Sequence, residues 1–250
     1  MNLILEIFLY INNIIVMDHY DISNIEDLNL EELPSSSYNI LLGKRRSGKS
    51  YLCEHIVKKL IDMGECDMCF LFSETLAGFD FIKYDFRYKE IDELRNLVAK
   101  YKYMNNYNKL VGERNKIKLK TIVIIDDCAI KLKSKEFNIL EELSVNGRHS
   151  AYPPLSLHFF ILAQSLTKIP RVCRLNCDNI FLNAIASEHE RAMVLDENMY
   201  LVDGSRQGKN MGRSLYQSLV ASDDFVFMVI ENWRQNATEY KHYIKKIKAD

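Results

Sequence analysis

The chain has 250 residues, 48% of them hydrophobic, and a formal net charge of −1 from 33 basic and 34 acidic side chains. That length and apolar content suffice for one large α/β domain with short appendages. The charge balance excludes a global basic field that would draw the protein to nucleic acid, so any such contact comes from local patches or from surfaces concentrated by oligomerisation.

Residues 1–37 read as an N-terminal extension. Its opening, "MNLILEIFLYINNIIV", is strongly apolar, but Glu6 interrupts it and neither a positive leader region nor a small-residue cleavage site accompanies it. It is also shorter than the roughly 18 apolar residues of a membrane span, so no intrinsic span is expected. Two readings stand for residues 1–16: they precede a true start at Met17 and are not native, or they form an amphipathic segment docked on the core or on a partner.

The main domain is expected over residues 38–235. It begins with "YNILL" (Tyr38–Leu42), a short apolar run after the turn-like "PSSS", which predicts a buried strand. "LLGKRRSGKS" (Leu41–Ser50) then fits G-x-x-x-x-G-K-[ST] without a gap. Gly43 and Gly48 let main-chain N–H groups converge on a phosphate. Lys49 is placed to reach the β and γ phosphates and Ser50 to bind Mg²⁺, with Lys44, Arg45, Arg46 and Ser47 forming the rest of the cradle. A helix follows, with Leu52, Ile56, Val57, Leu60 and Ile61 at helical spacing and Gly64 as its stop. Its N-terminus would face the phosphates. Strand, loop and helix together predict a nucleotide site.

"CFLFSE" predicts a further buried strand, and "IDELRNLVAKYKYMNNYNKLVGERNK" (Ile91–Lys116) a crossover helix with a solvated charged face. "TIVIIDD" is a β-branched run ending in Asp126 and Asp127. Acids at the C-terminal end of a parallel strand lie where open α/β sheets bind ligands. Asp126 is assigned to Mg²⁺ and Asp127 to activating or orienting the attacking water. "FNILEELSVNGRHS" predicts a helix ending at Gly147, followed by Arg148, and "LHFFILAQS" a strand ending in Gln164, which could sense the γ-phosphate or hold the water.

Beyond these, "DGSRQGKNMGRS" (Asp203–Ser214) reads as a glycine-rich basic loop, either a surface hairpin or an approach to a DNA backbone. "DFVFMVIENW" reads as a late strand, and residues 236–250 as a basic C-terminal helix or tail. The six cysteines are unevenly spaced and read as reduced thiols in a reducing compartment, although Cys66, Cys69, Cys173 and Cys177 are enough in number for a zinc site.

The succession "LLGKRRSGKS", "TIVIIDD" and "NGRHSAYPPLSLHFFILAQSLTKIP" resembles the FtsK–HerA superfamily of DNA-pumping ATPases, and more narrowly the poxvirus-type genome-packaging ATPases of large nucleocytoplasmic DNA viruses. The resemblance spans about Tyr38 to Leu182; its most specific part is Gly147-Arg148-His149, then Gln164, then Ile169-Pro170. It implies a RecA/FtsK-like P-loop NTPase fold, a mostly parallel central sheet flanked by helices. The activity it implies is ATP- and Mg²⁺-dependent translocation of double-stranded viral DNA into a capsid. The motor would be a homo-oligomeric ring, a hexamer, with a capsid or membrane portal protein as a further partner. It would work in the host cytoplasm, in the viral factory, or in the virion. In such rings an arginine of one subunit completes its neighbour's site; Arg148 is the first choice for that catalytic role here and Arg174 the second. The residues alone leave two alternatives beside the motor, a P-loop nucleotide or nucleoside kinase and a non-hydrolysing ATP-binding assembly scaffold.

Overall fold

Apolar runs with no in/out alternation are the mark of strands covered on both faces. Here they supply the middle of an eight-stranded sheet. The computed structural model describes residues 25–75, 78–83, 86–126, 134–146, 156–199, 206–222, 225–234 and 243–248. In chain order the strands are β1 (Ser37–Leu42), β2 (Met68–Ser73), β3 (Arg87–Tyr88), β4 (Lys120–Asp126), β5 (Ser156–Ala163), β6 (Asn179–Leu182), β7 (Val226–Glu231) and β8 (Ile244–Lys248). The helices are α1 (Lys49–Asp62), α2 (Glu93–Leu110), α3 (Ser134–Asn146), the single turn α4 (Arg171–Leu175), α5 (Glu188–Asn198) and α6 (Arg206–Ser222). The spatial order is β3-β2-β4-β5-β1-β6-β7-β8. The pairings from β3 to β6 are parallel, and β7 and β8 add on antiparallel. The mostly parallel sheet flanked by helices is the expected fold class.

Successive residues of β1 serve opposite cores. Leu41 packs with Leu52, Cys53, Ile56, Val57 and Leu60 of α1, while Ile40 and Leu42 join the layer formed by α2, α3, α5 and α6. All eight residues of β5 are buried, as a strand flanked on both edges and covered on both faces requires. From β1 the chain crosses to β2 on one side, whereas β6 lies on the other. β1 is therefore the switch point of the sheet, where a crevice opens beyond the strand ends.

The far ends of the strands hold a buried polar cluster. Asn39 Nδ2 donates to Ser37 Oγ at 2.8 Å, leaving the Ser37 hydroxyl to donate to His158 Nδ1, also at 2.8 Å. Burial holds the His158 pKa down to about 4, so this imidazole is folded in neutral form.

Three expectations need correction. The segment expected as a basic loop is helical from Arg206: Met211, Leu215, Tyr216 and Leu219 form an apolar stripe that packs on the sheet, and tertiary burial outweighs the cost of Gly208 and Gly212. Gly212 lies against Met199, so it serves close approach and not a turn. The expected C-terminal helix or tail contains β8, with Tyr243 and Ile244 fully buried and Lys245 paired to Glu26. The N-terminal side reaches this same edge through a bridge between Asp27 and Lys246. Finally, Ile61 of α1 is exposed, while Cys53, which the spacing did not select, is buried on the helix's apolar face.

Cys53, Cys173 and Cys177 are buried, and Cys66 and Cys69 half-buried. Among the described residues no group of three or more His, Cys, Asp or Glu is arranged to hold a metal ion. Nor is any described helix long and apolar enough to cross a membrane.

Candidate functional site: the phosphate loop

The loop between β1 and α1 is tied to both neighbouring strands. Gly43 N–H donates to Ala163 O of β5 at 3.3 Å, and Lys44 N–H to Ala184 O, just past β6, at 2.7 Å. Beyond those anchors the chain turns through Arg46 at φ 63° and Gly48 at φ 84°. These left-handed positions aim successive amides into one concavity. Gly43 is required for space: a Cβ there would lie 2.6 Å from Ser47 Oγ. Ser47 is buried, while Lys44, Arg45 and Arg46 are exposed around the rim. Gly48 caps α1 without a side-chain bond, leaving the helix's first N–H groups and its positive end directed at the concavity.

Lys49 is buried, and its ammonium is held by the loop's own carbonyls, 2.9 Å from Gly43 O and 3.0 Å from Lys44 O. Ser50 Oγ donates to Asp126 Oδ2 at 3.0 Å, across 76 residues of sequence. A hydroxyl and a carboxylate converging at the mouth of a phosphate cradle are oxygen donors of the kind that hard Mg²⁺ takes, together with water and phosphate. The residues present fit that ion. Gln164, the first residue beyond β5, lines the same cavity with Arg45 to Tyr51 and Asp126; its volume is about 290 Å³.

The fold therefore brings together ten of the twelve residues named from the sequence: Gly43 through Ser50 in the loop, with Lys49 and Ser50 active within it, and Asp126 and Gln164 opposite. Asp127 and Arg148 lie outside the described residues. Arg174, the second choice for an arginine acting across subunits, is committed elsewhere. Its guanidinium grips Glu197 with Nε at 3.0 Å and Nη2 at 2.9 Å, and Nη1 donates to Ile169 O at 2.9 Å.

Sequence reasoning missed two contributors. Asn183, directly after β6, donates to Val226 O at 2.7 Å and accepts from Ala184 N–H at 2.6 Å, so it joins the loop's β6-side anchor to the start of β7. Phe225 packs against Gly48, and a Cβ on that glycine would meet its ring at 2.8 Å. Both depend on contacts between distant segments and have no local motif; a polar residue ending an apolar strand was the only sequence signal for Asn183.

No protein-family model matches the chain, and no curated protein matches it. Solved structures do. The genome-packaging NTPase B204 of Sulfolobus turreted icosahedral virus 2, in complex with AMPPCP, aligns over 86% of this chain and 99% of its own, with TM-score 0.54 and 14% identity. B204, the DNA-packaging ATPase from Sulfolobus turreted icosahedral virus, aligns over 86% and 98%, with TM-score 0.56 and 14% identity. The pCW3 conjugation coupling protein TcpA, in a monomer form with ATPγS, aligns over 86% of this chain and 60% of its own, with TM-score 0.53 and 14% identity. The chain has the P-loop NTPase fold, in the arrangement found in these packaging and coupling ATPases.

Proposed function

We propose that this protein is an ATP hydrolase that couples turnover to the movement of double-stranded DNA, packaging a viral genome into its capsid. The observation that carries the hydrolase reading is the convergence of the Ser50 hydroxyl and the Asp126 carboxylate, 3.0 Å apart, over the loop that holds Lys49, with Gln164 in the same cavity. Two of the similar structures are a genome-packaging NTPase and a conjugation coupling protein, which supports DNA as the load.

In this reading the loop amides and Lys49 bind the β and γ phosphates, and the α1 N-terminus offsets their charge. Ser50 and Asp126 would hold Mg²⁺, which would supply charge neutralisation at the phosphates. Gln164 and Asp127 position and activate the attacking water. Arg148 of an adjacent subunit neutralises the charge that develops on the γ-phosphate, a contribution on the order of 10³–10⁵ in rate where measured in other systems. The working form is accordingly a homo-oligomeric ring, a hexamer, with a capsid or portal protein as its docking partner. It acts in the host cytoplasm or the virion.

ATP hydrolysis measured with and without long double-stranded DNA tests this reading. Wild-type turnover should rise with DNA and be lost in Lys49→Ala and Asp126→Asn. Phosphate transfer to a small acceptor in place of water would make the protein a kinase, and binding without turnover in an assembled ring would make it a scaffold.

A further inference from the structure

A nucleotide bound at this loop has its direction fixed by the sheet. The residues that serve the γ-phosphate, Asp126 at the end of β4 and Gln164 after β5, stand on one flank of β1. With its γ end at those residues, a phosphate chain would run along the loop away from them and the nucleoside would leave on the other flank, where β6 and β7 lie. The cavity over the loop, about 290 Å³, is at the small end of the roughly 300–1,000 Å³ range of small-molecule pockets. It takes phosphates and leaves the base to a surface beyond its rim.

Phe225 stands on that flank. It precedes β7, whose antiparallel course brings its first residue to the same edge of the sheet as the C-terminal ends of β1 and β6. Its ring approaches Gly48 so closely that only a residue without a Cβ fits there. Phe225 is nonetheless 46% exposed as a residue, and its backbone sits at φ 70°, a left-handed conformation that a bulky aromatic adopts only at a cost. The start of β7 is fixed by the Asn183 bond to Val226 O, and the same Asn183 borders Gly43 of the loop. An apolar ring is thus held out toward solvent beside a phosphate cradle, at the expense of backbone strain.

We propose that Phe225 is the platform on which the nucleotide's base stacks. The proposal rests on the reading of the loop as a nucleotide site and adds the base subsite to it. Phe225 has no polar atom, so it reads the π face of a base and not its hydrogen-bonding edges.

The test compares MgATP with magnesium tripolyphosphate, which has the phosphates without the nucleoside, by calorimetric titration of the full chain. Phe225→Gly is the principal variant because glycine suits φ 70° and removes the ring without straining the fold. It should weaken MgATP binding about tenfold or more while tripolyphosphate affinity stays within about twofold. Phe225→Trp should bind MgATP as the wild type does. Tyr51, an exposed aromatic that lines the cavity over the loop, serves as the control, and Tyr51→Ala should have the smaller effect. Equal losses for both ligands in Phe225→Gly, or no loss for either, overturn the proposal, as does an ATP-selective loss confined to Tyr51→Ala. A wild-type chain that binds neither ligand refutes the nucleotide site itself, and the base platform with it.

Discussion

Arg174→Ala separates a structural arginine from a catalytic one. Arg174 and Glu197 form a bidentate pair between α4 and α5, with side chains 11% and 21% exposed, and the third guanidinium nitrogen binds Ile169 O. Such fork-to-fork pairs are among the stronger charge-assisted contacts. Removing one partner of a fully buried pair costs about 3–5 kcal/mol, chiefly because the other charge stays behind unpaired. Solvent reaches part of this pair, which brings the expected cost to about 2–3 kcal/mol. Urea unfolding at neutral pH should show the loss as a lower midpoint at unchanged slope. Glu197→Gln should cost less, and the Arg174→Ala/Glu197→Ala double variant should recover part of the stability. Turnover of the folded variant should change less than about tenfold, against the 10³ or more of a lost arginine finger. A variant as stable as wild type that loses about 10³ in rate, and regains it in mixed rings, would make Arg174 the trans-acting residue and refute the structural assignment.

Gly43→Ala should weaken nucleotide binding by about 1–3 kcal/mol, since its methyl group meets Ser47 Oγ, and adding Ser47→Ala should restore part of the affinity in the same titration. Asp126→Asn should abolish the difference between nucleotide affinities measured in Mg²⁺ and in EDTA, because the carboxylate facing Ser50 is lost. His158 predicts a pH effect with a definite sign. Its pKa is held down to about 4 from 6.5, so its contribution is whole above pH 6.5, falls as the unfolded chain takes up the proton, and is spent once the pH has passed through 4. At about 1.36 kcal/mol per pH unit the loss is on the order of 3 kcal/mol. Unfolding midpoints of wild type and His158→Asn should converge as the pH falls across that window, and parallel curves would contradict the assignment.

The phosphate site was legible because its chemistry is local. One gapless motif fixes Gly43 to Ser50, and an apolar strand ending in acid fixes Asp126. Gln164 needed the additional fact that β5 lies between β1 and β4, which neighbourhood in the chain does not disclose. In α6 the glycines at 208 and 212 suggested a loop, while the stripe of Met211, Leu215, Tyr216 and Leu219 carried the helical signal. β8 was hidden by its composition: in "IKKIK" only a paired edge and Glu26 explain a buried Lys245. Arg174 and Phe225 belong to tertiary geometry, since their partners are Glu197 and Gly48, and no local pattern distinguishes them from a surface arginine and an ordinary strand residue.

The central claim, a motor that moves along double-stranded DNA, is tested most directly by triplex displacement. A third strand is annealed to a long duplex at a distance from the loading end, and its release is followed with MgATP. The account predicts release that requires hydrolysis, is delayed in proportion to the distance, and is absent in Lys49→Ala. DNA-stimulated hydrolysis by assembled rings with no displacement at any distance would contradict it.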